Sequence, residues 1–272
     1  MLVLWTEKRS EGITIDYKIA DAEVFAGAVK ACLRYTPSTI NTLWSVYYDL
    51  AIIHSPIPGI PSWCPDLRFA LRLDTHVPAP LGVDTLENYL PYACYEEMPD
   101  LKQIGIKVLR LDHVTRMASR ACPSEPTSRP GRRFTQESIT WMIEMCHALD
   151  IRNNDALKGY LAIGPEEIES LCAAVFSDDN VLNMSRLEFE NCLNRQANKY
   201  VFQTASGMIG YSARKPSHGA LVVLVPHCST LQMLSADATK YIGCASVRGL
   251  EDNALLDPPP ELENKWEMVY LT

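Results

Sequence analysis

The sequence predicts an α+β chain: helical N-terminal and middle regions, with a small antiparallel β module at the C-terminus. Three observations lead there. Apolar residues recur at helical spacing in several stretches before residue 196. From 199 onward, short runs of β-branched and aromatic residues alternate with Gly, Pro, Ser and Asp, the pattern of strands joined by tight turns. A stretch rich in Pro and Arg, 119–133, divides the part before 196 in two. The predicted layout is a helical segment with a Pro-rich loop and a strand over 1–118, a linker over 119–133, a helical region over 134–196 and the β module over 197–272.

In chain order, Asp21 reads as an N-cap, and Val24, Phe25, Ala28, Val29, Cys32 and Leu33 form one apolar helical face that Thr36-Pro37-Ser38 ends. A second periodic set runs from Ile40 through Leu43, Trp44, Tyr47 and Leu50 to His54, although Val46, Tyr47 and Tyr48 also favour strand. The segment 55–67 holds four prolines and a glycine, which exclude regular structure, and makes Trp63 a rigid anchor packed on the core. Pro78, Pro80 and Gly82 break the next stretch, and 86–95 reads as either a short helix or a strand.

Three helices are expected after the linker. The first covers 135–149, with Ile139, Met142, Ile143 and Cys146 inward. The second opens on Gly164-Pro165-Glu166-Glu167, with proline at the first helical position and acids at the positive helix end. Ser185 and Glu188 form a capping box for the third. The fully apolar run 221–225 is expected to be a strand covered on both faces, and strand 106–111 is expected to join the β module, since alone its backbone groups would be unpaired. Asp257-Pro258-Pro259-Pro260 reads as an extended linker before a last strand at 266–271.

Composition bounds the function. At 272 residues with 47% hydrophobic and 21% charged content, the chain can build a sizeable core. Its net charge of −8 argues against nucleic acid as a partner, because phosphate binding needs clustered cations. Arg116, Arg120, Arg129, Arg132 and Arg133 around the linker read as a solvated surface. No apolar run reaches membrane-span length, and Met1-Leu2-Val3-Leu4-Trp5 runs into Glu7, Lys8 and Arg9 without a signal h-region. Nine cysteines without a C-x-x-C pair suit reduced thiols in a cytoplasmic protein.

No nucleophile elbow, P-loop or H-E-x-x-H sequence occurs, and no cofactor or metal is expected. Gly207-Met208-Ile209-Gly210 reads as a hairpin turn rather than a phosphate cradle. Cys64, with His54 ten residues before it, is the candidate thiol nucleophile of an enzymatic alternative, weighed against a buried thiol in a Pro-locked loop. The adjacent His227 and Cys228 would need two further ligands to hold zinc, and His147 reads as a surface or cap residue. Asp66 is the candidate structural carboxylate closing the Pro-rich turn.

Four segments resemble the closing part of fungal heterokaryon-incompatibility (HET-domain) proteins. Pro61-Ser62-Trp63-Cys64-Pro65-Asp66-Leu67 is similar to the family's "PSWvPDW", with Leu67 in place of its second Trp. Ile13-Thr14-Ile15-Asp16-Tyr17 and the strand from Ile104 to Val114 resemble two further motifs. The β module supplies the fourth, with Tyr200 to Thr204, Gly207, Gly210, Gly219 to Val225, Leu231 to Leu234, Tyr241-Ile242-Gly243 and Gly249 at family positions. Ala220, Arg248 and Asn253 depart from it at turns. The resemblance implies a structural motif made of Pro61, Ser62, Trp63, Pro65, Asp66, Gly207, Gly210, Gly219, Gly243 and Gly249. It also implies that the family's N-terminal core, similar to TIR domains and linked to programmed cell death in non-self recognition, lies outside these residues. The expected role is binding or regulation without chemistry of its own, with full-length family members or a second copy as partners.

Overall fold

The computed structural model describes residues 20–35, 44, 58–65, 95–100, 102–123, 136–162, 164–176, 198–226, 228, 230–247, 250 and 265–272. Its organising element is β2 (Ile104–Met117), a strand of 14 residues that lies between the helical stretches of the sequence. With β3 (Tyr200–Thr204), β4 (Ile209–Ser212), β5 (Leu221–Leu224), β6 (Leu231–Leu234) and β7 (Tyr241–Val247) it forms a closed, six-stranded antiparallel barrel in the order β2-β3-β4-β7-β6-β5. Closure comes from β5 returning to β2, with Leu109 opposite Leu224 and His113 opposite Leu221. Beyond the barrel, the first half of β2 carries β1 (Tyr95–Glu97) on one edge and β8 (Glu267–Leu271) on the other.

This architecture corrects the expected fold class. The β part is neither small nor confined to the C-terminus, and the helices do not form a layer of their own. Among the described residues there are four α-helices: α1 (Asp21–Tyr35), α2 (Gln136–Ala148), α3 (Asp155–Leu161) and α4 (Pro165–Phe176). The physical reason is where their apolar faces go. Trp141, Met142, Met145, Leu157 and Leu171 bury against Val201, Ile209 and Ala118, which belong to or adjoin the outer barrel wall, so these helices coat the sheet. Trp141 Nε1 donates to Arg120 O at 3.1 Å, and Arg120 pairs with Glu144 at 2.9 Å, fixing α2 against the end of β2.

The barrel interior is filled. Leu109, Val114, Phe202, Val222, Leu224, Leu231, Met233, Ala245 and Val247 meet inside it. Alternation then sends Val223 and Val225 to the outside, beneath α1, Trp44 and Trp63, so the run 221–225 is covered on both faces as the sequence implied. The expected partnership of 106–111 with the β module also holds, through the β2–β5 ladder. The stretches 13–17, 36–43, 45–54 and 177–197 lie outside the described residues, and with them most of the second periodic set, the Ser185 capping box and Asp257-Pro258-Pro259-Pro260.

Candidate functional site

The chain's clearest non-repetitive construction is a clasp on the outer barrel wall. It starts from the stiffness of Pro58-Gly59-Ile60-Pro61-Ser62-Trp63-Cys64-Pro65. Fixed proline φ angles lower the entropy cost of ordering the loop, and Cys64 N donates to Pro61 O at 3.0 Å to close a tight turn. That turn presents Ser62 to one side and Trp63 to the core, where Trp63 is 1% exposed.

Ser62 joins two distant strands. Its Oγ accepts from Tyr241 N at 3.0 Å, at the start of β7, and donates to Thr272 O at 2.5 Å, just past β8. Ser62 N donates to the same carbonyl at 3.1 Å, and Thr272 N donates to Thr239 O at 2.8 Å. Trp63 Nε1 donates to Lys102 O at 3.1 Å, while Trp44 Nε1 donates to Trp63 O at 2.9 Å. The Trp44 ring stacks on Tyr241 with centroids 4.2 Å apart and planes inclined by 21°.

Beneath this stack runs a buried polar chain. Tyr241 Oη donates to Gln232 Oε1 at 2.7 Å, and Gln232 Nε2 donates to Thr230 O at 2.8 Å. The Cys244 thiol donates to Trp44 O at 3.4 Å and lies 3.5 Å from Gln232 Oε1. From α1, the buried Lys30 reaches across to donate to Met98 O and Asp100 O at 3.0 and 2.7 Å. Each polar group removed from water here is matched by a partner, which a low-dielectric site requires.

A second cluster holds serine, aspartate and histidine. Asp112 sits at an irregularity in β2 where the register with β5 shifts. Its carboxylate accepts from Ser206 Oγ, from Ser206 N at 3.2 Å and from His113 N at 2.8 Å, while His113 Nδ1 stands 3.9 Å from Asp112 Oδ1. In a nucleophile relay the imidazole lies between serine and carboxylate. Here the carboxylate lies between, so the cluster ties the β3–β4 turn to β2. Burial pushes the Asp112 carboxyl up, but hydrogen bonds from Ser206, Thr204 and the His113 and Ser206 amides outweigh it and hold the pKa below 3.8.

The predicted site residues divide accordingly. Pro61, Ser62, Trp63 and Pro65 form the clasp; Asp66 and Gly249 lie outside the described residues. Gly207 turns the β3–β4 hairpin at φ +84°, the left-handed region that glycine enters without strain. Gly210 faces the barrel interior, where an added Cβ would stand 2.6 Å from the Phe202 ring. Gly219 precedes β5, and Gly243 sits on β7 where its pairing with β6 shifts register. Cys64 is a buried thiol whose Sγ lies 3.7 Å from Pro65 O; His54 and His227 lie outside the described residues, while Cys228 is buried. Burial pushes the Cys32 thiol up, away from nucleophilic character. The seven described cysteines form no disulfide with one another. Among the described residues no group of His, Cys, Asp and Glu is arranged to hold a metal, and no helix is long and apolar enough to cross a membrane. A pocket of about 100 Å³ between the start of α1 and the Pro-rich loop, bordered by Ala22, Ala26, Pro58 and Pro61, is well below the size of small-molecule sites.

Sequence reasoning missed Lys30, Gln232, Asp112 and Thr272 as members of these constructions. Gln232 had a signal, being a polar residue inside an apolar strand run. Comparison with family models, curated proteins and solved structures finds no match to this chain.

Proposed function

We propose that this chain is a binding or regulatory module of the heterokaryon-incompatibility type, similar to the closing part of those proteins. It would act in the cytoplasm, in non-self recognition and programmed cell death, through contacts with full-length family members or with itself. The observation that supports the reading is convergence. Three of the four segments that carry the resemblance are far apart in sequence and bonded to one another in the fold: Ser62 to Tyr241, 179 residues away, and strand 104–114 to the strands at 200–204 and 221–224. A barrel filled with side chains and a clasp of saturated hydrogen bonds suit a rigid presenting surface. The thiol alternative draws no support from Cys64, which is 3% exposed in the core beneath the loop.

The test is inducible expression of residues 1–272 in a filamentous fungus, alone and beside a full-length family member. The reading expects no death from the chain alone, a changed time course of death with both, and co-purification of the two. Death from the chain alone, or turnover of a nucleotide by the purified protein, would overturn it.

A further inference from the structure

Along β8, strand alternation puts Met268 and Tyr270 on the face opposite the buried Val269 and Leu271. Trp266, one residue before the strand, continues the alternation and packs against the interior cluster that holds Leu109. On β2, Gly105 and Lys107 share this face with Leu109, so it leads on from the barrel interior. None of Trp266, Met268 and Tyr270 is buried, and Tyr270 is 45% exposed. Gly105 keeps the stripe flat. It stands opposite Tyr270, and a Cβ there would lie 3.2 Å from Tyr270 Cε1 and 3.3 Å from Met268 Sδ. The ring lies across the glycine, and its hydroxyl donates to Glu96 at 3.1 Å. Lys107 stands opposite Met268, in the middle of the stripe. The nearby acids are engaged, Glu96 by Tyr270 and Glu267 by Arg110. The Lys107 ammonium and the Trp266 indole N–H have no partner among the described residues. Aromatic surface, one donor and one uncompensated positive charge thus stand together on an open face.

We infer that this stripe is a docking site for a proline-rich segment of a partner protein, one that carries an acidic residue. Proline rings pack on exposed aromatic faces, and a polyproline II chain makes no internal hydrogen bonds. Its carbonyls are therefore open to a donor such as Trp266 Nε1–H. Its fixed φ angles leave little entropy to lose on binding. The lengths agree: four residues of strand, from Trp266 to Tyr270, span about 13 Å, and four residues of polyproline II about 12 Å. Lys107 selects the acidic residue by charge complementarity. Single-stranded nucleic acid also stacks on aromatic side chains, but it needs a groove of cations along its backbone, and this chain has net charge −8 and one unpaired lysine on the stripe. The inference stands independently of the proposed function, because peptide binding is read without any death assay.

The test uses the full chain and a fluorescein-labelled oligoproline with one central aspartate, read by fluorescence anisotropy. Saturable binding is expected, weakened about tenfold or more by Tyr270→Ala and by Lys107→Glu. Replacing the peptide's aspartate with lysine should weaken binding to the wild type and restore it to Lys107→Glu, a recovery that a misfolded variant could not show. Absence of binding by the wild type overturns the inference. So does binding indifferent to Tyr270→Ala, failure of the charge swap to restore binding, or tighter binding of an oligothymidylate than of the peptide.

Discussion

The barrel interior is fully buried, whereas the clasp is buried at Trp44, Trp63, Gln232 and Tyr241 and open to solvent at Thr272, and the two are built by opposite means. Inside the barrel, Leu109, Phe202, Val222, Leu231 and Val247 meet through apolar surface, and the backbone ladders carry the polar groups. At the clasp, indole N–H groups, a serine hydroxyl and a lysine ammonium reach carbonyls 19 to 210 residues away in sequence, and the Tyr241 hydroxyl meets the Gln232 amide. The first is non-directional and tolerant of exchange among apolar residues of similar volume. The second depends on direction, so losing one partner strands another. The difference assigns stability to the interior and the fixed placement of the Pro-rich loop and β8 to the clasp.

Truncating the largest side chain of each region should give the largest effects. Phe202→Ala and Trp63→Ala each remove a side chain 0% and 1% exposed, and each should cost about 3–5 kcal/mol. Urea unfolding measures the two losses. Amide exchange separates them: Trp63→Ala should speed exchange at Tyr241 and Thr272 before the global transition, whereas Phe202→Ala should speed the barrel strands together. An unchanged melting temperature in Trp63→Ala would show that the clasp is decoration.

This division also explains what the sequence disclosed. Strand positions at 200–204, 221–224, 231–234, 241–247 and 267–271 were legible because strand period and turn residues are local signals. So were α1, α2 and α4, from periodicity and from Pro165 at a helix start. Barrel closure was not, because it rests on Leu109 meeting Leu224 across a helical insertion with no local mark. Strand 106–111 is expected from the sequence to join the β module, but without the closure it makes, the chain reads as helical with a β appendage. Helix α3 escaped because it has seven residues, one of them Gly159, although Asn154 caps it by accepting from Leu157 N at 2.9 Å. The stiffness of the Pro-rich loop announced a buried Trp63. The partners of Ser62 lie beyond any window of sequence.

Adding volume inside the barrel tests the same contrast from the other side. Gly210→Ala would place a methyl 2.6 Å from Phe202 Cζ and 2.8 Å from Val247 Cγ2 and should destabilise by about 1–3 kcal/mol. Pairing it with Phe202→Leu should recover part of that loss, measured as non-additivity in a double-mutant cycle. Strict additivity would show that the two side chains do not share one space.

Removing a polar partner at the clasp should have a comparable or smaller effect, of a different kind. Gln232→Ala removes the acceptor 2.7 Å from the Tyr241 hydroxyl, leaving it the weaker Cys244 thiol at 3.6 Å, and should cost about 1–3 kcal/mol. Adding Tyr241→Phe removes that hydroxyl and should restore part of the loss while keeping the stack on Trp44. If the double variant is as unstable as the sum of the singles, the polar chain is not coupled.

The smallest effect concerns Asp112, where pH supplies the probe. Its folded pKa lies below the ordinary 3.8, so the carboxylate contributes stability that is fully present above that value and is lost as pH falls through the folded pKa. The linkage has this sign because the unfolded chain binds the proton more readily, and protonation breaks the bonds from Ser206 and the His113 amide. Asp112→Asn removes the titration. The difference in urea midpoint between wild type and Asp112→Asn should therefore be constant from pH 7 to about 5 and shrink below about 4. His113, 3.9 Å from the same carboxylate, faces solvent with half of its side chain, so its charge is screened and should add little. His113→Ala should leave the acid-side convergence in place. A wild type and Asp112→Asn pair that keep the same separation down to pH 3 would show that the turn is held by backbone bonds such as Ala205 N to His113 O rather than by the carboxylate.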